Sequence, residues 1–199
     1  ENQTGHKLPT GIPFRRMWIH LTAKDASGKI IFESGGYDSK GNIKYAKENF
    51  GKHYNEITDS KKVQVYEAVM VGPDEKKTFS LLFVDKFLKD NRIPPSGFTK
   101  SHPSYDTCAI YGDALNDPDF NKDSKGNEGS GSDGILYKIP VSGNEFTVDV
   151  EILYQSLEPE MFDYFAKYDD SPYVKMFIKT YNNSDITPFV MKTLSLSVK

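Results

Sequence analysis

From residue 14 to residue 24 apolar and polar side chains alternate almost without a break. Met17, Ile19, Leu21 and Ala23 fall on one side, and Arg16, Trp18, His20, Thr22 and Lys24 fall on the other. A period of two is that of a strand, whose successive side chains point to opposite faces. Trp18 is the only tryptophan and His20 one of four histidines. They are therefore same-face neighbours one pleat apart, on the side away from the apolar stripe. The same period returns at residues 146–154, where Phe146, Val148, Val150, Ile152 and Tyr154 alternate with Thr147, Asp149, Glu151 and Leu153.

The rest of the chain is organised by turns. Residues 1–13 are rich in Gly and Pro, and Pro9 and Pro13 favour extended or turning backbone. Asp25-Ala-Ser-Gly28 makes a turn, so residues 29–34 are expected as the hairpin partner of the first strand. Further strands are expected at 62–70, 77–84, 135–139 and 189–198. Short helices are expected at 85–91, stopped before Pro94-Pro95, and at 159–168 and 173–181. Two long stretches stay irregular: 35–61, which carries His53, and 96–133, whose later part is rich in Asp, Gly, Ser and Asn. Irregular stretches of that length in a compact domain are more often functional than idle. The expected architecture is mainly β: a single domain over residues 1–199, an antiparallel β-sandwich with long irregular loops and a few short helices.

Composition removes several classes of function. The net charge of −3 gives no electrostatic reason to expect nucleic acid or an anionic membrane surface. Cys108 is the only cysteine. An intrachain disulfide, a Cys-x-x-Cys-His haem attachment and a Cys-rich zinc site are all excluded. No apolar run approaches the roughly 18 residues that span a bilayer. The chain begins at Glu1 without Met, and reads as a processed protein or a fragment.

Three constellations could carry chemistry. Trp18-x-His20, with one or more of His6, His53 and His102, offers imidazoles suited to copper, zinc, iron or nickel. The plainer reading is that each histidine is packed and hydrogen-bonded. The acidic stretch 113–133, with Asp113, Asp117, Asp119, Asp123 and Asp133, offers oxygen ligands for calcium. Its spacing is not that of an EF-hand, and a solvated polar loop is the alternative. Arg15 and Arg16 point to opposite faces, so one is expected in an internal ion pair and the other in solvent. Cys108 near His102 is read as structural rather than nucleophilic. The chain has no Gly-x-Ser-x-Gly elbow, P-loop or His-Glu-x-x-His.

A longer pattern runs through these pieces: Thr4-Gly-His-Lys-Leu-Pro-Thr-Gly-Ile-Pro-x-Arg-Arg-x-Trp-x-His20, Phe32-Glu-Ser-Gly35, His53-Tyr-x-x-Ile57, Gln64-Val-Tyr-Glu67 and Asp90-Asn-Arg92-x-x-Pro95. It continues through Gly112-Asp-Ala-x-x-Asp-x-Asp-Phe120 and Leu153-Tyr-Gln155. This resembles the methanotroph surface copper-binding proteins of the MopE and CorA type, and the haem-free C-terminal domain of some bacterial multihaem c-type cytochromes. The copper-protein resemblance implies one Cu(I) per chain, held by two histidines and a kynurenine formed from tryptophan. Carried onto this sequence, the ligands are Trp18, His20 and His53, with His102 in reserve for the second histidine. It implies a cell-surface or secreted protein in copper acquisition, peripheral to the outer membrane, with copper as its cargo, a cytochrome as partner and no catalytic turnover. The cytochrome resemblance implies instead a docking or assembly domain without a metal site.

Overall fold

The computed structural model describes residues 1–141 and 143–198. Its centre is β1 (Arg16–Asp25), which carries neighbours on both edges. Along one edge β8 (Phe146–Gln155) pairs antiparallel over the whole length, from Arg16 opposite Gln155 to Asp25 opposite Phe146. Along the other edge two short strands share the space. β2 (Ile30–Ser34) pairs with the C-terminal half, and β4 (Val65–Tyr66) with Met17 and Trp18. β9 (Phe189–Val198) adds to β8 and ends the sheet, giving the order β2-β1-β8-β9 with β4 beside β2. Two small sheets flank this one. β3 (Glu56–Ile57) pairs parallel with β7 (Leu136–Tyr137), and β5 (Ala68–Val71) antiparallel with β6 (Lys86–Asp90).

The mainly β class and the alternation of β1 and β8 are as the sequence implied, and the pairing is antiparallel apart from β3–β7. Three segments are corrected. The expected strand at 62–70 is two strands that part at Glu67: Val65–Tyr66 joins β1, whereas Ala68–Val71 leaves to pair with β6. Where a helix is expected at 85–91 the chain forms strand β6 over Lys86–Asp90, and Lys89 extends into the interior to reach the Val65 carbonyl and Glu67. Residues 77–84 form no strand. After a single bridge between Lys77 and Val71 the chain turns outward, leaving Leu81 and Leu82 in solvent. Helices α1 (Pro159–Ala166) and α2 (Pro172–Asn182) both open on proline and pack through Phe162, Phe177 and Tyr181.

Both faces of β1 are covered. On one, Met17 packs with Tyr66, Ile93 and Phe120, and Leu21 and Ala23 pack with Phe32 and Ile57. On the other, Trp18 is enclosed by Ile43, Val63, Val65 and Leu153. This second cluster exists because the irregular stretch after β2 folds back over the sheet. Gly35, with φ of 80°, makes that return possible: a Cβ there would collide with the Ile19 carbonyl.

Candidate functional site

Trp18 and His20 lie side by side on the face the alternation assigns them, each meeting the edge of Tyr37, with ring centroids 5.9 and 6.0 Å away. The indole Nε1–H donates to the Gly35 carbonyl at 2.9 Å. His20 stands directly opposite Glu151 on β8, with Nδ1 3.0 Å from that carboxylate and Nε2 3.4 Å from Glu33. Glu33 is itself held by Lys44 at 2.7 Å, and this hydrogen bond keeps its carboxyl below the usual range. Each polar atom of Trp18 and His20 therefore faces a group of the protein.

His53 lies on the other side of the sheet. Its ring packs edge-on against Phe120 and Tyr66, centroids 5.1 and 6.4 Å away, and both belong to the cluster under Met17. Because Met17 and Trp18 are adjacent on β1, their side chains point to opposite faces. The expected ligands Trp18, His20 and His53 are therefore divided between the two faces of the sheet. Trp18 and His20 are together, and β1 and β4 separate them from His53. As arranged, these residues do not fit a mononuclear copper centre. His102 does not replace His53, because it is exposed and its Nδ1 accepts the Ser104 backbone N–H at 3.1 Å. His6 is exposed too, with Nδ1 2.9 Å from the Lys7 carbonyl.

What surrounds His53 instead is acidic. Nε2 lies 3.3 Å from Asp117 Oδ2 and 3.9 Å from Asp133 Oδ2. The side chains of His53 and Asp133 are 1% and 0% exposed. Asp117 is oriented by its own loop: Oδ1 accepts the N–H groups of Asp119 at 3.0 Å and Phe120 at 3.2 Å. Asp133 Oδ2 accepts the Tyr66 hydroxyl at 2.7 Å. Burial, with Asp117 and Asp119 adding repulsion, pushes the Asp133 carboxyl up to about 7. Burial also pushes His53 down to about 4, so its ring is neutral at pH 7.

The other ring nitrogen fixes the tautomer. Nδ1 receives the Gln64 side-chain NH2 at 2.8 Å and the Asn91 NH2 at 2.9 Å. Neither amide is free to turn over. Gln64 Oε1 accepts the Tyr54 N–H, Asn91 Oδ1 accepts the Glu67 N–H, and Asn91 Nδ2 also donates to the Val65 carbonyl. Nδ1 is thus an acceptor, and the proton of the neutral ring sits on Nε2, facing the carboxylates.

Asp117 and Asp133 were legible in the sequence only as members of an acidic stretch. Of the remaining acids, Asp113 is exposed near Lys52, and Asp123 is spent on its own turn, accepting from Lys125 and Asn127. The signal that would have found the site is the pattern itself. His53, Gln64, Tyr66, Asn91, Asp117, Asp119 and Phe120 come from four separated pieces of it and converge here. Arg16 takes the internal role expected for one of the arginine pair, bonded to Gln155 and the Gly41 carbonyl and 3.7 Å from Glu158. Cys108 is free and exposed.

No helix among the described residues is long and apolar enough to cross a membrane. No family model matches the chain, and no curated protein does. Among solved structures the chain is similar to a penta-heme cytochrome c552 from Thermochromatium tepidum, with TM-score 0.52 and 16% identity, over 97% of this chain and 33% of that one. The chain thus spans about a third of the length of that cytochrome, and the likeness is one of fold.

Proposed function

We propose that this chain is a haem-free β module that docks against a haem-bearing c-type cytochrome polypeptide, serving assembly and not turnover. The observation that carries this reading is an uncovered apolar strip at the end of the sheet. Leu194, Leu196 and Val198 of β9 stand opposite Val150, Val148 and Phe146. They share the face on which Val148 and Val150 pack against the Leu21, Ala23, Phe32 and Ile57 cluster. There the three remain 54, 53 and 43% exposed. Apolar side chains left open on a core face mark an interaction surface. β9 is also the edge of the sheet, with Lys192 as its one charge, and so lacks the charges that usually protect an edge strand.

The identity of the partner is supported by the fold likeness, since a similar fold occurs within a chain described as a penta-heme cytochrome. This chain's single cysteine excludes a haem attachment motif of its own. The test uses the natural gene product, purified without dissociation. Covalent haem is measured by pyridine haemochrome, and amide exchange in β9 is compared with that of the separate 199-residue chain. Stoichiometric haem, in the same polypeptide or a bound partner, with β9 amides exchanging at least tenfold more slowly, supports the reading. Natural material without haem, or with β9 exchange unchanged, overturns it.

A further inference from the structure

We infer that the carboxylates of Asp117, Asp119 and Asp133 form a binding site for one hard divalent cation, of the calcium class, with His53 holding Asp117 in place and not acting as a ligand. The inference is independent of the docking reading and rests on three observations.

The first is a deficit of partners. Among buried polar atoms, the carboxylate oxygens Asp119 Oδ1 and Asp133 Oδ1 lack any hydrogen-bond partner, and both belong to this one cluster. Buried polar atoms are almost always satisfied, so two orphaned carboxylate oxygens at one place point to a missing group.

The second is a deficit of charge. Among the described residues no Lys or Arg pairs with Asp117, Asp119 or Asp133. The nearby Lys89 ammonium is committed to the Val65 carbonyl at 2.8 Å and to Glu67 at 3.0 Å. Lys122 reaches the Asp117 backbone carbonyl, not its carboxylate. Three carboxyl groups brought together with no cation paired to them are what a bound divalent ion would neutralise.

The third is the donor set. The candidate atoms of His53, Asp117 and Asp133 lie within 4.8 Å of one another. Oxygens on opposite sides of calcium are about 5 Å apart, and on opposite sides of magnesium about 4 Å apart. A zinc or copper ion would take the Nε2 lone pair and require a proton on Nδ1. Here Nδ1 faces two NH2 groups whose orientation the backbone fixes. The Nε2–H is therefore a donor toward Asp117, and the cation sees oxygen only. Asp119 is half-buried beside exposed Gly134, where an added Cβ would come within 3.0 Å of its Oδ2. That rim is the route of access.

The test uses the intact 199-residue chain after chelation. Terbium is the probe, because the Tyr66 hydroxyl touching Asp133 places a sensitising ring at the site. The expected result is saturable, one-site terbium luminescence that calcium displaces. Asp119→Asn should weaken calcium binding at least tenfold by calorimetry. Asp119 lies at the rim with an unpartnered oxygen, so this variant keeps the fold, which circular dichroism in chelator verifies. His53→Gln should weaken binding by less than Asp119→Asn does. No calcium binding below millimolar concentration overturns the inference. So does a site that prefers zinc or copper over calcium and disappears in His53→Gln, since that is a histidine-ligated metal centre.

Discussion

The two faces of β1 bear histidines of opposite character. On the Trp18 face the protein supplies a partner for every polar atom: Gly35 for the indole, Glu151 and Glu33 for His20, Lys44 for Glu33. On the Met17 face His53 is equally well gripped at Nδ1 and turns its Nε2–H toward Asp117, yet two carboxylate oxygens of the cluster have no partner. Self-sufficiency is the mark of structure, and an unmet demand for partners is the mark of a site. The face whose sequence looks more like a metal centre is the one that structure already explains.

Substitutions can break or sharpen this contrast. The largest effect is expected from Trp18→Ala, which empties the centre of a closed apolar cluster and should cost about 3–5 kcal/mol. Chemical denaturation should show that loss to be the same with calcium or chelator. His53→Ala should cost about 2–4 kcal/mol, because it strands the Gln64 and Asn91 amides as buried donors. A loss below about 1 kcal/mol would mean that Nδ1 is not held as described.

Asp133→Asn should act in the opposite direction. In chelator it removes one of the crowded carboxyl groups while keeping an acceptor for Tyr66, and should stabilise the chain by about 1–2 kcal/mol. It should also abolish stabilisation by calcium. A variant destabilised in chelator would argue that no repulsion is stored there. His20→Ala should cost at most about 1 kcal/mol, since its ion pairs are partly exposed, and should leave calcium stabilisation unchanged.

The smallest expected effect is on Glu33. Its folded carboxyl is held below its ordinary value, first by Lys44, so the bond contributes stability above the unfolded value near 4.5 and loses it as pH falls. With Glu33 about a third exposed, solvent screening leaves this at a few tenths of a kcal/mol, roughly. Lys44→Ala should flatten the acid limb of the stability curve by that amount. A larger change at pH 7 than at pH 3 has the right sign, and the reverse would refute the pairing.

How much of this was legible in the sequence varies by element. β1, β8 and β9 are long and alternating, so period alone places them. The strand at 62–70 hides its break because Val65–Tyr66 and Ala68–Val71 are equally apolar. Only the partners differ, and partners are not local information. At 85–91 the pattern Lys-Phe-Leu-Lys-Asp suits either structure, and burial of Lys89 decides it. Trp18 and His20 could be paired from one strand. His53 could not be assigned to a face, because it lies in an irregular stretch whose path is set by contacts with Gln64, Asn91 and Phe120. The acidic stretch announced itself by composition, but which acids converge depends on how that loop closes. β9 gave no hint that its apolar face would remain uncovered.

The contrast between the two faces is tested most directly by locating a bound ion. Crystals of the chelated chain soaked in terbium or manganese, with anomalous difference maps, would do so. The predicted result is one strong peak among the carboxylates of Asp117, Asp119 and Asp133, with His53 Nε2 outside the coordination sphere. A peak beside Trp18 and His20, with none at the acidic cluster, would contradict the account.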